Sequence, residues 1–122
     1  MQKITGTTIE ITRGDTLNIS LSIKEDGDNY TFQPGDVVVF SVYKKGKLSE
    51  NAVLLKTINV SSSTESLSIN FTSEETKIGD LINKPVDYWY EVELNGQYTV
   101  IGYDDTGAKI LRLYPEGSQD DD

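Results

Sequence analysis

The chain has no cysteine and no histidine among its 122 residues. Without cysteine there is neither a disulfide framework nor a thiolate metal site. Without histidine the usual serine triad, imidazole acid/base chemistry and His-ligated zinc all drop out. Basic residues are scarce as well: 11 Lys and Arg stand against 20 Asp and Glu, for a net charge of -9. Nucleic-acid binding rests on neutralising phosphates, so this balance argues against it. The N-terminal stretch MQKITGTTIEITRG lacks an apolar signal-peptide core, and no window approaches a membrane span. A product made in a host cytoplasm without a signal peptide is the expectation.

What is present is alternation. TLNISLSI puts Leu17, Ile19, Leu21 and Ile23 on one face and Asn18, Ser20 and Ser22 on the other, a pattern only a strand uses. VVVFSVY, SLSINF and YWYEVEL repeat it, the last with Tyr88, Tyr90, Val92 and Leu94 facing a core. Thr7 to Thr12, Leu54 to Val60, Tyr98 to Tyr103 and Lys109 to Leu113 complete a set of about eight strands, which reads as an antiparallel β-sandwich. One stretch departs from it. In FTSEETKIGDLINKP, Thr72 and Glu75 fit a capping box, Ile78, Leu81 and Ile82 share a helical face, and Pro85 stops the run, which predicts a short helical crossover. A single domain over residues 1–115 and an acidic tail over 116–122 follow.

Three turns punctuate the strands. Gln33-Pro34-Gly35-Asp36 fits a type II turn, with Pro34 presetting φ and Gly35 supplying a positive one. Asn95-Gly96 is a strong hairpin signal; a two-residue loop pairs Leu94 with Gln97, Tyr90 with Ile101 and Trp89 with Gly102. Arg13-Gly14-Asp15 matches the tripeptide that integrins read, yet it also leads into a strand, as Gly35-Asp36 does. Read as a three-residue hairpin loop, it sets Ile11 opposite Leu17 and Ile9 opposite Ile19, so a structural turn is preferred to an integrin ligand.

The chemistry-bearing patterns are weak. Asn18, Asn29, Asn59 and Asn70 head formal glycosylation sequons that Thr- and Asn-rich strands generate by composition. The acidic stretches Glu25 to Asn29 and Tyr103 to Gly107 hint at calcium but lack the twelve-residue loop pattern, and read as hairpin turns. No carboxylate pair stands out as a glycosidase dyad. No catalytic, cofactor-binding or metal-ligating residue is therefore assigned. The aromatics say more. In the two-residue register Trp89 lies on the outer face beside Tyr98 and Val100, with Ile101 and Tyr103 on the core face. Trp89, Tyr98 and Val100 are the candidate interaction surface.

The succession IEITRGDTLNISLSI, GDVVVFSVY, SINFTSEET and YWYEVEL ahead of YTVIGY resembles the small β-sandwich domains of tailed phages and prophages of Gram-positive bacteria. These are typified by the N-terminal domain of upper baseplate proteins. The resemblance spans Ile9 to Leu113. It lies in Arg13 to Thr16 at the start of the second strand, Gly35 to Val42 at the next, Glu74 to Thr76, and the Tyr-x-Tyr strand at Tyr88 to Tyr90. It implies an Ig-like sandwich acting as a non-catalytic virion subunit. The sequence ends about where that family's first domain ends, so baseplate, tail, neck and head decoration are all consistent with it. The partners it implies are other virion proteins and further copies of the chain, with no cofactor. An adhesin-like or carbohydrate-binding sandwich, using Trp89, Tyr30 or Tyr103 to stack on a sugar, is the alternative.

Overall fold

The alternating stretches are strands in the computed structural model, which describes residues 1–117. In chain order they are β1 (Gln2–Thr5), β2 (Thr8–Thr12), β3 (Leu17–Leu21), β4 (Lys24–Glu25), β5 (Asp28–Asn29), β6 (Val37–Lys44), β7 (Leu54–Asn59), β8 (Leu67–Phe71), β9 (Val86–Leu94), β10 (Tyr98–Ile101) and β11 (Lys109–Tyr114). All eight expected strands are present, and three more join them. β1 escapes a periodicity reading because its four residues are all exposed, and β4 and β5 because each has two residues.

Seven strands form one sheet in the order β1-β2-β11-β9-β6-β7, with β10 added beside β9, while β3 and β8 form a second sheet and β4 and β5 a small hairpin. Pairing is antiparallel except between β2 and β11, which run parallel. The small sheet packs on the inner face of the large one. Leu17, Leu21, Leu67, Ile69 and Phe71 meet Ile9, Ile11, Val38, Phe40, Val42, Val92, Leu111 and Leu113 in one buried cluster. At its centre the Phe40 ring stacks on Tyr90 at 4.9 Å and meets Phe71 edge-on at 5.1 Å, both favoured aromatic geometries. Burial pushes the Tyr90 phenol up to about 12.

The Arg13-Gly14-Asp15 hairpin is overturned. β2 pairs with β1 and β11, and β3 pairs with β8, so the tripeptide carries the chain from one sheet to the other. Ile11 and Leu17 do not pair; they face each other's layer across the core. Alternation is the same in either arrangement, since both bury the same residues. The turn itself is as expected: Asp15 N–H donates to the Thr12 carbonyl at 3.0 Å, and Gly14 has φ +89, the value a type II turn requires at that place. Gln33 to Asp36 repeats it, with Asp36 N–H on the Gln33 carbonyl at 3.0 Å and Gly35 at φ +96.

The helical crossover is also overturned. The capping box does form: Thr72 N–H donates to Glu75 Oε1 at 2.9 Å and Glu75 N–H to Thr72 Oγ1 at 3.2 Å. Only one turn follows: its last backbone bond is Lys77 N–H on the Glu74 carbonyl at 3.2 Å, and Gly79 beyond it takes φ +67, off the right-handed path. Ile78 is buried while Leu81 is 65% exposed, so the expected helical face does not exist. Among the described residues there is no helix.

Arg13 binds these parts together. Its buried guanidinium lies 2.7 Å from Glu116 Oε1 and donates to the carbonyls of Ile78 at 3.3 Å and Gly79 at 2.6 Å. Beside it, Gly14 N–H donates to Thr76 Oγ1 at 3.0 Å, and that hydroxyl donates to the Asp15 carbonyl at 2.7 Å. The Asp15 carboxylate pairs with the Met1 ammonium. The charges of the tripeptide thus point different ways, the cation inward and the anion outward. Of the tail expected from residue 116, Glu116 is held by Arg13, and residues 118–122 lie outside the described residues. An Arg13→Met variant removes the cation but not the bulk, leaving carbonyls and a carboxylate unpaired. It is expected to lose about 3 kcal/mol in urea unfolding.

Candidate functional site

Alternation along β9 sends Tyr90, Val92 and Leu94 into the core and Asp87, Trp89, Glu91 and Glu93 to the outer face of the large sheet. There Trp89 stands between Tyr43 of β6 and Ile110 of β11, and the Tyr103 ring lies 5.7 Å from it. Val39 and Tyr43 of β6 extend the apolar stripe towards Leu55 of β7, which is 60% exposed. Tyr43 Oη donates to Glu91 Oε1 at 3.3 Å, and burial raises the Tyr43 phenol pKa. Below the stripe, Arg112 Nε lies 2.7 Å from Asp87 Oδ1, and Tyr114 donates to Glu10 at 2.6 Å. That hydrogen bond, above all, holds the Glu10 carboxyl below the usual range. The outer face is therefore an aromatic and aliphatic band bordered by carboxylates on one side and a closed ion-pair network on the other.

Tyr98 and Val100 do not join Trp89. The Asn95-Gly96 turn forms as expected, with φ +56 and +66 and Gln97 N–H on the Leu94 carbonyl at 3.1 Å. Gln97 then takes an extra place, so Tyr98 rather than Gln97 stands opposite Leu94. A second irregularity between Thr99 and Ile101 sets Ile101 opposite Val92. Each one-residue slip reverses which face a side chain takes. The first slip turns Tyr98 and Val100 to the Leu94 side, and the second leaves Ile101 on the core face opposite Val92. Beyond the end of β10, Tyr103 lies against Trp89 and not in the core, and Trp89 faces Ile110 in place of Gly102. Gly102 has its own reason: an added Cβ would lie 2.6 Å from Thr99 Cγ2. The adjacent apolar pair Val100-Ile101 in QYTVIGY was the available signal, because two neighbours cannot share a face of a regular strand.

Tyr98 and Val100 instead line an open cleft of about 390 Å³ with Ile23, Tyr30 and Leu94, and Lys24 at its rim. Two of its lining residues, Tyr30 and Asn95, are held by Asp36, which accepts from Tyr30 Oη at 2.6 Å, from Asn95 Nδ2 at 3.1 Å and from Gln33 N–H at 3.0 Å. Those three bonds, the backbone one foremost, keep its pKa low. Asp36 thereby joins the Gln33–Asp36 turn to the Asn95-Gly96 hairpin.

The two acidic stretches are hairpin turns. Glu25 to Asn29 is the β4–β5 hairpin, turning on Asp26 and Gly27 at φ +52 and +87. In Tyr103 to Gly107 the Lys109 ammonium sits where a cation would: 2.7 Å from Asp104 Oδ1, 2.9 Å from Thr106 Oγ1 and 3.2 Å from the Gly107 carbonyl. Among the described residues no group of three or more carboxylates is placed to hold a metal ion. Comparison with protein-family models, with curated proteins and with solved structures found no match to the chain.

The Lys109 hydrogen bond, helped by Thr106, holds the Asp104 carboxyl well below its ordinary range. A carboxyl whose pKa is depressed by folding stabilises the protein above its unfolded pKa, near 4, and loses that effect as pH falls through the folded value. The thermal midpoint is therefore expected to be level above about pH 5 and to fall below about pH 4. An Asp104→Asn variant, followed by circular dichroism across the same range, should show a shallower acid slope than wild type.

Proposed function

We propose that this chain is a non-catalytic structural subunit of a tailed-phage or prophage virion, in the baseplate, tail, neck or head decoration, and that it works by protein–protein contact on an Ig-like sandwich. The observation that carries this is the apolar band on the outer face of the large sheet. Trp89 sits at its centre, half-buried between Tyr43 and Ile110 and roofed by Tyr103. Tryptophan and tyrosine framed by polar groups are what protein interfaces concentrate. The strand order lends weight to the Ig-like reading: β2-β11-β9-β6-β7 in one layer and β3-β8 in the other matches a front sheet with an extra edge strand and a reduced back sheet. The sequence resemblance supplies the virion context.

The carboxylates favour the same reading. Glycoside hydrolysis needs a general acid whose pKa is raised. Glu10, Asp36, Glu75 and Asp104, the described carboxyls whose pKa clearly departs from the ordinary value, are all lowered. Each is engaged by the chain's own donors, Glu10 between two strands and the other three at turns.

A Trp89→Ser variant should fold, because the indole lies outside the core, and should bind its virion partner at least about 30-fold more weakly, the loss typical of a central anchor. The measurement is a pull-down titration of purified virion proteins with the wild-type and variant chains. Equal binding by a folded Trp89→Ser protein rejects the outer-face reading. The cleft beside Tyr30 and Tyr98 favours a second reading, a carbohydrate-binding module. Glycan-array binding that a Tyr98→Ala change abolishes would move the assignment there.

A further inference from the structure

Among the described residues, three strands of the large sheet pair on one side only: β1, β7 and β10. An unpaired edge is a template for another strand, and charge, shortness and bulges are the usual defences. β1 has four residues, carries Lys3 and follows the charged amino terminus. β10 has four residues and is broken between Thr99 and Ile101. β7 is neither short nor bulged, and Lys56 is its one charged residue. Leu54–Asn59 runs six residues in unbroken register with β6 and contains neither Pro nor Gly.

The charge of the region is as unusual as its regularity. A quarter of the chain is charged, with a net -9, yet residues 51–64 contain a single charged residue, Lys56. Its ammonium turns inward, 3.0 and 3.2 Å from the two Glu75 oxygens and 5.9 Å from the Phe71 ring centroid. Leu55, Thr57 and Asn59 are the exposed side chains. For a second molecule of the same strongly negative charge, this edge is approached against little local repulsion. The Trp89 band is the opposite case, because Glu91 and Glu93 share its face and would meet their own kind.

We infer that β7 is a homotypic joint at which two copies pair antiparallel about a two-fold axis, joining their seven-stranded sheets edge to edge. A two-fold axis through a residue pair keeps inner side chains with inner and outer with outer. Centring it on Lys56 would oppose two ammonium groups, which is destabilising. Centring it on Thr57 sets Leu55 opposite Asn59 of the partner subunit and Lys56 opposite Ile58 of the partner subunit. Leu55 lies in the outer band as well as on β7, so the joint brings the two bands side by side. This inference rests on the assembly reading and names one of its contacts.

A joint of six strand residues is smaller than the roughly 1,200 Å² of a standard stable interface, so the dimer forms at high concentration and dissociates on dilution. The test is light scattering of the full chain from about 10 μM to 1 mM for wild type, Thr57→Lys and Trp89→Ser. Hydrogen exchange is measured at both ends of that range. Thr57 is exposed, so the lysine guards the edge without entering the core; Asn59→Lys serves if Thr57→Lys fails to fold. Expected are a doubling of mass for wild type and Trp89→Ser, a monomer for Thr57→Lys, and β7 amides that exchange more slowly at high concentration. A wild type that stays monomeric, or a dimer that Thr57→Lys leaves intact, overturns the inference. A dimer lost in Trp89→Ser alone overturns it in favour of the outer face. The virion-partner titration is independent of all these outcomes, so the wider assembly reading stands or falls separately.

Discussion

The guanidinium of Arg13 is the contact on which the arrangement of the chain depends. It sits where β2 hands over to β3, the point at which the polypeptide leaves one layer for the other. The same group takes the carbonyls that end the Thr72–Gly79 turn and the carboxylate of Glu116 beyond β11. Three segments far apart in sequence therefore converge on one buried cation. A buried charge is tolerated only when its donors are matched by acceptors in good geometry, so this corner fixes where each of those segments lies. Thr76 reinforces it by closing on Gly14 and Asp15.

From that corner the asymmetry of the fold follows. The large sheet is covered on its inner face by β3, β8 and the loops that bury Phe32, Val60 and Ile78. Its outer face has no second layer among the described residues, and there the chain places Trp89, Tyr43, Ile110 and Leu55. The turns are anchored by carboxylates: Asp36 ties two of them together, Glu75 closes the capping box and holds Lys56, and Asp104 with Lys109 closes the last loop. Much of the excess acid at these turns is thus engaged in backbone and side-chain bonds, leaving the outer band and the β7 edge comparatively free of structural demands.

The strands were legible because their signal is local. TLNISLSI, VVVFSVY and YWYEVEL bury the side chains their alternation selects, and Gly14, Gly35, Asn95 and Gly96 take the positive φ values their turns require. The candidate site was legible only in part. Trp89 lies on the outer face as its place in β9 demands, but Tyr98 and Val100 were carried to the cleft by a slip of one residue at the hairpin turn, which sets Tyr98 opposite Leu94. The helical crossover failed because a capping box states how a helix begins and not how far it runs; here the chain stopped after one turn.

The sequence by itself determined which face of most strands is buried, where the chain turns, and that neither thiol nor imidazole chemistry is possible, because each of these follows from residue type and spacing. Tertiary structure alone decided which strand each of those faces would meet. Arg13-Gly14-Asp15 became a passage between layers and not a hairpin, β2 settled parallel to β11, and Lys109 filled an acidic loop that resembled a cation site. The physical reason is that alternation specifies a face and not a partner. Pairing is chosen by long-range contacts, here a buried guanidinium and an aromatic core, whose members are spread along the whole chain.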